Sequence, residues 1–154
     1  MNNLPFPWWD KTITIYNKYV DTSNQRTYWV KTVVENCFWK ADNLLFTMGG
    51  AGNSKVGVIT ETKKIICRIP KNDKYLNKRD WRELADKSGH FTLANEDIIV
   101  LGEVTDEIDE YTAGKRSTDL LSKYREDDSC LQIETYVDNC RTGIDLEHYK
   151  VIGK

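Results

Sequence analysis

The feature that most constrains this fold is a succession of short segments rich in β-branched and aromatic residues, separated by turn residues. Such segments favour β-strands. They occupy residues 12–20, 26–34, 37–48, 56–60, 64–69, 98–101, 130–137 and 148–152. No strand–helix–strand alternation typical of a parallel sheet is present. The chain is therefore predicted to be mainly β and mostly antiparallel, with seven or so strands.

Two of the connections predict hairpins. Turn residues 21–24 join the first two segments, and a cluster of three glycines within residues 49–54 tips a longer hairpin that ends before Pro70. A small, closed or nearly closed antiparallel barrel suits this number of strands, because closure removes exposed sheet edges. An open sandwich with the helices packed at one end is the alternative.

One or two short helices are expected among the strands. Asn77 would cap the first, an insertion near residues 77–88 that stops at Ser88 and Gly89. Ser117 would cap the second, over residues 118–125 within a loop–helix stretch at 103–126. The core-facing residues would be Trp81, Leu84 and Ala85 in the first helix and Leu120, Leu121 and Tyr124 in the second.

Residues 1–11 are expected to form an extended arm ahead of a single barrel domain over residues 12–154. Pro5 and Pro7 lack the donors that a central strand needs. The three rings between and after them belong to Phe6, Trp8 and Trp9. Large amphipathic rings are enriched at the buried centres of interfaces, so this arm is a candidate for docking on a neighbour.

Charge composition limits the function classes. The chain has 22 basic and 24 acidic residues and a net charge of −2, whereas a dedicated nucleic-acid binder would carry a basic excess. No apolar run is long enough to cross a membrane, and residues 1–10 lack the pattern of a signal peptide. We therefore expect an intracellular protein without membrane contact, whose four cysteines are reduced and buried.

No motif for catalysis, metal binding or cofactor binding is found. The cysteines are dispersed, and His90 and His148 are the only histidines. Cys67 or Cys130 with His148 could form a nucleophile–base pair, but nothing in the local sequence supports one. The glycine cluster is not a phosphate-binding P-loop, because Val56 follows its lysine and a strand follows the loop. A non-enzymatic protein without a metal or cofactor is expected.

The most charged feature is residues 103–110, with five carboxylates in eight positions. A solvated acidic loop is the first interpretation. A site for a hard cation, or paired carboxylates for acid–base chemistry, is the second. The third is an electrostatic contact with a basic partner, in which Lys115 and Arg116 of one copy would complement the acidic loop of another.

Several strings resemble a family of small, uncharacterised structural proteins of tailed bacteriophages and prophages of Gram-positive hosts. The strings are FPWWDKTITIYNKY at 6–19, TVVENCFWK at 32–40, ICRIP at 66–70, GEV and DEI at 102–104 and 106–108, and HYKVIG at 148–153. More loosely, the layout resembles phage minor capsid and head-closure (stopper) proteins. The resemblance covers most of the chain, and its motifs are structural, not catalytic.

The resemblance implies a stopper-like barrel that assembles as a homo-oligomeric ring in the neck of the virion, after synthesis in the host cytoplasm. Its partners would be the portal or adaptor and the tail proteins, with a passing contact with packaged DNA. Candidate channel-facing or inter-subunit loop residues are Gly49, Gly50, Gly52, Asn53, Asp106, Glu107, Asp109, Glu110, Lys115 and Arg116. A tail terminator or tail-completion protein is one alternative. A metal-dependent enzyme that uses residues 106–110 is another, and a host-directed binding module is a third.

Overall fold

A computed structural model describes residues 7–48, 58–140 and 147–154. The elements are β1 (Lys11–Asp21), β2 (Arg26–Met48), β3 (Val58–Pro70), α1 (Lys78–Glu83), β4 (Ile98–Leu101), α2 (Ser117–Arg125), β5 (Cys130–Asp138) and β6 (His148–Gly153). The six strands pair antiparallel in the closed order β1–β2–β3–β6–β5–β4, and β4 returns to β1. The predicted mainly β, antiparallel barrel with two short helices is confirmed, and the open sandwich is excluded.

The barrel closes because β2 and β5 each belong to two sheets. Residues 26–37 of β2 pair with β1 and residues 38–48 pair with β3. The strand changes partner next to Asn36, whose φ of 62° is the left-handed conformation that asparagine tolerates. The prediction of two separate strands at 26–34 and 37–48 is therefore wrong, since one bent 23-residue strand covers both.

β5 changes partner in the same way, and its register shifts between Ile133 and Thr135. This irregularity ends the face that was predicted to run from Leu131 to Val137. Leu131 and Ile133 are buried, whereas Val137 is exposed. A bulge of this kind re-aims the side chains that follow it, which alternation along the sequence cannot indicate.

The apolar residues form two layers, one inside the barrel and one outside it. The inner layer includes Ile13, Ile15, Val34, Cys37, Cys67, Ile69, Phe91, Leu93, Ile99, Leu131, Ile133 and Val151. The outer layer includes Tyr16, Ile98, Val100, Leu120, Leu121 and Cys130, with Trp29, Val104, Ile108 and Tyr124 against it. Because both faces of β1 and β4 are covered, their central residues are all buried, as predicted for β4.

The first helix begins as predicted and ends early. The Asp80 backbone N–H donates to Asn77 Oδ1 at 3.0 Å, which confirms the cap. Trp81 is fully buried, but Leu84 is already extended. Ala85 is exposed and lies outside the helix, so its predicted place on the core face is wrong.

The second helix starts one residue before its predicted first residue. Arg116 occupies the N-cap position, and Ser117, the predicted cap, is the first helical residue. The Arg116 backbone N–H donates to Asp119 Oδ2 at 3.1 Å, which satisfies one donor of the helix start. Leu120 and Leu121 are buried as predicted. Neither helix in the described part of the chain is long and apolar enough to span a membrane.

The last strand, β6, has room only for a glycine at position 153, and this gives a prediction. Gly153 pairs with Ile65 and Ile133, and a Cβ there would lie 2.1 Å from the Gln132 carbonyl oxygen. We expect Gly153→Ala to lower the free energy of unfolding by about 2–3 kcal/mol, because backbone must shift. The control is Gly114→Ala, where φ is +83° but space is open, with an expected cost of about 1 kcal/mol. Urea unfolding followed by circular dichroism measures both, and equal losses would contradict this packing.

Candidate functional site

The acidic segment is a loop that packs one side on the outer face of the barrel and leaves the other side exposed. Val104 and Ile108 contact the outer apolar layer. Thr14 Oγ1 donates to the Gly102 carbonyl at 2.7 Å, and the Val104 N–H donates back to Thr14 Oγ1 at 3.2 Å. Two residues along β1, the Tyr16 hydroxyl donates to the Asp106 carbonyl at 2.7 Å. We call residues 102–110 the acidic strap. The predicted solvated loop holds for one side of the strap only: Glu103, Glu107 and Asp109 are exposed, whereas Val104, Asp106, Ile108 and Glu110 are half-buried.

Asp106, in the middle of the strap, is held by helix α2. The Tyr124 hydroxyl donates a short hydrogen bond to its carboxylate, and Lys123 Nζ lies 3.1 Å from both of its oxygens. The hydrogen bond from Tyr124 is the main cause that lowers the pKa of Asp106. Asp106 is therefore an ionised docking point for α2.

The other carboxylates of the strap are directed to different protein groups. Glu107 pairs with Lys31 at 2.7 Å. Glu110 Oε1 accepts from Trp29 Nε1 at 3.0 Å and from the Ser117 N–H at 3.2 Å.

Asp109 is bound to its own turn. It accepts from Thr112 Oγ1 at 2.6 Å and from the Tyr111 N–H at 2.9 Å, and these bonds lower its pKa. The carboxylates of Glu107, Asp109 and Glu110 thus bind different partners and do not converge on one point. No group of three or more His, Cys, Asp or Glu that could hold a metal ion occurs among the described residues.

Four of the predicted loop residues do come together. Asp106, Glu107, Lys115 and Arg116 line one depression of about 350 Å³ between the strap and the start of α2. The charges that were predicted to meet across two copies therefore already lie beside each other in one subunit.

A prediction follows for the strap. Replacing Asp106 with asparagine removes the ionised acceptor of Tyr124 and Lys123, so we expect α2 to pack less firmly on the strap. The free energy of unfolding should fall by about 1–2 kcal/mol. Glu107→Gln is the matched control: its side chain is 69% exposed in a surface pair with Lys31, and we expect a change within about 0.5 kcal/mol. Chemical denaturation of both variants checks this, and a larger loss for Glu107→Gln would overturn it.

The predicted aromatic arm divides into core and surface. Trp9 is 2% exposed, and its ring lies 5.6 Å from His148 and 6.4 Å from Phe38. Its assignment to a free docking arm is therefore wrong, because this ring belongs to the fold of the subunit. Trp8 is 57% exposed, and docking by Trp8 stays a prediction. Phe6 lies outside the described residues.

The glycine-tipped loop is bracketed by described strands. Met48 of β2 pairs with Val58 of β3, which confirms the long hairpin. The four loop residues proposed as channel-facing or inter-subunit, Gly49, Gly50, Gly52 and Asn53, lie outside the described residues.

The thiols do not form a nucleophilic site. Cys67 and Cys130 are buried, and burial raises the pKa of both, that of Cys130 to about 11. His148 meets Trp9 and lies 3.3 Å from Asn139 through Nε2. These cysteines are core thiols, as the sequence predicted.

Sequence reasoning missed a basic groove between the end of β1 and α1. Its cations include Lys78 and Arg82, whose i, i+4 spacing on a helix was the only available signal. Lys18 and Lys87 reach the same groove from other segments, and no local pattern indicates that.

The architecture defines a small antiparallel barrel with an acidic strap, two short helices and a long hairpin. The profile of DUF6751, described as a family of unknown function, matches residues 8–154, so the chain belongs to this family. Searches of curated proteins and of solved structures give no significant match.

Proposed function

We propose that the protein is a non-enzymatic structural subunit of a tailed-phage particle, a head-closure or other neck-ring component that joins the portal–adaptor to the tail. In this role it assembles with copies of itself in the virion. The observation that carries the proposal is the part of the β2–β3 hairpin that extends beyond the barrel. The sequence resemblance to phage structural proteins supplies the particular setting.

The neighbouring strands β1 and β6 end well before the last described residue pair of the hairpin, Met48 with Val58. β1 pairs with β2 only as far as Cys37, and β6 pairs with β3 only from Ile65. In the described part of the chain, residues 42–48 and 58–64 therefore pair with each other and with no third strand. We call this the β2–β3 ribbon. At about 3.3 Å per residue, each of its two strands spans roughly 20 Å.

The ribbon's sequence supports the presence of a partner. Residues 44–48 read LLFTM, and their partners 58–62 read VITET. A two-stranded ribbon is at best marginally stable in water unless a third strand or another surface covers it. Neighbouring subunits in a ring would supply that cover, and a closed ring leaves no ribbon unpaired.

The acidic strap changes the detail of the proposal. Because Asp106, Glu107 and Glu110 are bound within the subunit, the strap serves as part of the scaffold that holds α2. The contact with neighbours is assigned to the ribbon and to Trp8 instead. A passing contact with packaged DNA would then come from the hairpin end of the subunit.

Assembly in particles tests the proposal. Mass spectrometry of purified virions, with electron cryo-microscopy for position, should find the subunit in the neck. Absence from the particle would refute the role, and a position at the tail end would assign it to tail termination or completion instead.

A ribbon variant makes the test specific. Phe46→Glu places a charge in the ribbon, and Thr22→Glu places the same charge in the exposed β1–β2 turn. We expect both purified chains to melt as wild type, but only Phe46→Glu to fail to bind isolated portal–adaptor rings in sedimentation. Equal binding by both variants would contradict the ribbon's role.

A further inference from the structure

A groove of about 680 Å³ lies between the end of β1, helix α1 and the turn before β4. Such a volume falls within the range of small-molecule sites, about 300–1,000 Å³. Four cationic side chains contribute to its wall: Lys18, Lys78, Arg82 and Lys87. All the segments that line it belong to the described part of the chain. The barrel, the strap and the ribbon make no use of this groove.

These cations differ from many others among the described residues in forming no ion pair within 4 Å, although the charge of Lys78 acts on Asp97 and that of Lys87 on Asp21. Eight lysine and arginine side chains of the described residues form ion pairs within 4 Å, including Lys31, Lys64 and Lys123. None of the four groove cations is among them. Clustered cations that are not held in close ion pairs repel one another, so an anion that enters the groove among them is stabilised.

Two of the three acidic residues that line the groove, Asp97 and Asp21, accept hydrogen bonds from the protein. Asp97 is 3% exposed; its Oδ2 accepts from Asn17 Nδ2 at 2.8 Å and its Oδ1 from the Lys18 N–H at 3.1 Å. Asp21 Oδ1 accepts from the N–H of Ser23 at 2.9 Å and from its Oγ at 2.6 Å. Glu96, in the turn, is exposed. Asp97 and Asp21 are thus hydrogen-bonded to β1 and its turn, which leaves Glu96 as the exposed carboxylate of the groove.

One of the cations is fixed in place by the fold. Lys87 Nζ donates to the Leu84 carbonyl at 2.7 Å and lies over the rings of Tyr19 and Trp81, at 4.9 and 5.6 Å from their centroids. Lys78 and Arg82 are held one helical turn apart on α1. Tyr19 and Val20 add apolar surface to the same groove. A small ligand would thus meet one fixed cation, two cations carried by the same helix, and an apolar wall.

We propose that this groove binds the phosphate groups of a small phosphorylated ligand, with Lys18, Lys78 and Arg82 as the contacting cations. Paired phosphates match cations spaced along a helix face, and the arginine fork can bind phosphate oxygens in a bidentate way. Tyr19 and Val20 would contact the ligand's organic part. This inference is independent of the proposed role in assembly.

Calorimetry with inorganic pyrophosphate tests the groove, at constant ionic strength set with sodium chloride. The double variant Lys78→Gln/Arg82→Gln removes two groove cations. Its control, Lys74→Gln/Arg79→Gln, removes two exposed cations of the same segment that do not line the groove, so both proteins carry the same net charge. Thermal melts first establish that both are folded. We expect the groove variant to bind pyrophosphate at least about tenfold more weakly and the control to stay within about twofold of wild type.

Two further experiments locate the binding site and distinguish a small phosphorylated ligand from the phosphate backbone of DNA. Amide chemical-shift changes on adding pyrophosphate should concentrate in residues 18–22, 78–87 and 95–97. A nucleoside diphosphate and a short DNA duplex are then compared. The proposal is supported if the nucleotide binds more tightly than the duplex and if this binding depends on Lys78 and Arg82. It is overturned if wild type shows no saturable binding at concentrations on the order of 10 mM, if the control loses as much affinity, or if only the duplex binds.

Discussion

Replacing Trp81 with alanine is expected to lower the free energy of unfolding by about 3–5 kcal/mol, the usual cost of deleting a fully buried large ring. Trp81 is 0% exposed, and its ring lies edge-on to Tyr19 at 5.9 Å. Its Nε1 donates to the His90 carbonyl at 3.3 Å. Helix α1 has only six residues, too few to be stable alone, so this ring joins Phe91 and Leu93 in attaching the segment between β3 and β4 to the barrel.

The matched control is Trp8→Ala, because Trp8 is the same residue type at 57% exposure. We expect it to change the unfolding free energy of the isolated subunit by less than about 0.5 kcal/mol, as is usual for surface positions. Urea unfolding followed by far-ultraviolet circular dichroism compares the two without relying on tryptophan fluorescence. Losses of similar size in both variants would contradict the assignment of Trp81 to the core and Trp8 to the surface.

The strand segments were predictable because each one carries its own local signal. The buried run at Ile98–Leu101, the turn at 21–24 and the cap at Asn77 follow from residue type and spacing alone. The bend of β2 and the bulge of β5 could not be predicted in this way. They depend on which strand lies alongside, and Asn36 carries no more signal in the sequence than any other asparagine.

The candidate sites were less predictable, for a related reason. The sequence of the acidic strap indicates a solvated loop, because its two apolar residues, Val104 and Ile108, show their packing only beside the outer apolar layer. Trp9 reads as part of an arm because its neighbours in the sequence are prolines and aromatic rings, whereas its contacts, Phe38 and His148, are distant in sequence. The basic groove draws on three segments. Residues that meet only through tertiary structure leave no pattern in one sequence.

The second large effect is expected from pH, through the buried carboxyl of Asp97. Burial is the main cause that raises the pKa of Asp97 to about 6, and it outweighs the opposing hydrogen bonds from Lys18 and Asn17 and the charge of Lys78. The ordinary value in an unfolded chain is about 3.9, so the folded protein holds this proton more tightly. The resulting stabilisation is fully present below about pH 4 and is lost as pH rises through 6. Its full size is about 3 kcal/mol, of which about 1.4 kcal/mol is lost between pH 5 and pH 8.

The measurement that isolates this group is the difference between two pH profiles of unfolding free energy, wild type and Asp97→Asn. Subtraction removes every other titrating group, including Asp21, Asp86, Asp106 and Asp109, whose lowered pKa values act at more acidic pH. We expect the wild type to lose stability relative to the variant as pH rises from 5 to 8. If the variant does not fold, the carboxyl carbon shift of Asp97 in the wild type gives the same information, with a midpoint near pH 6. Parallel stability profiles, or a titration midpoint near pH 4, would show that the Asp97 carboxyl is solvated. Asp97 would then not be the buried group that holds the turn before β4 to β1.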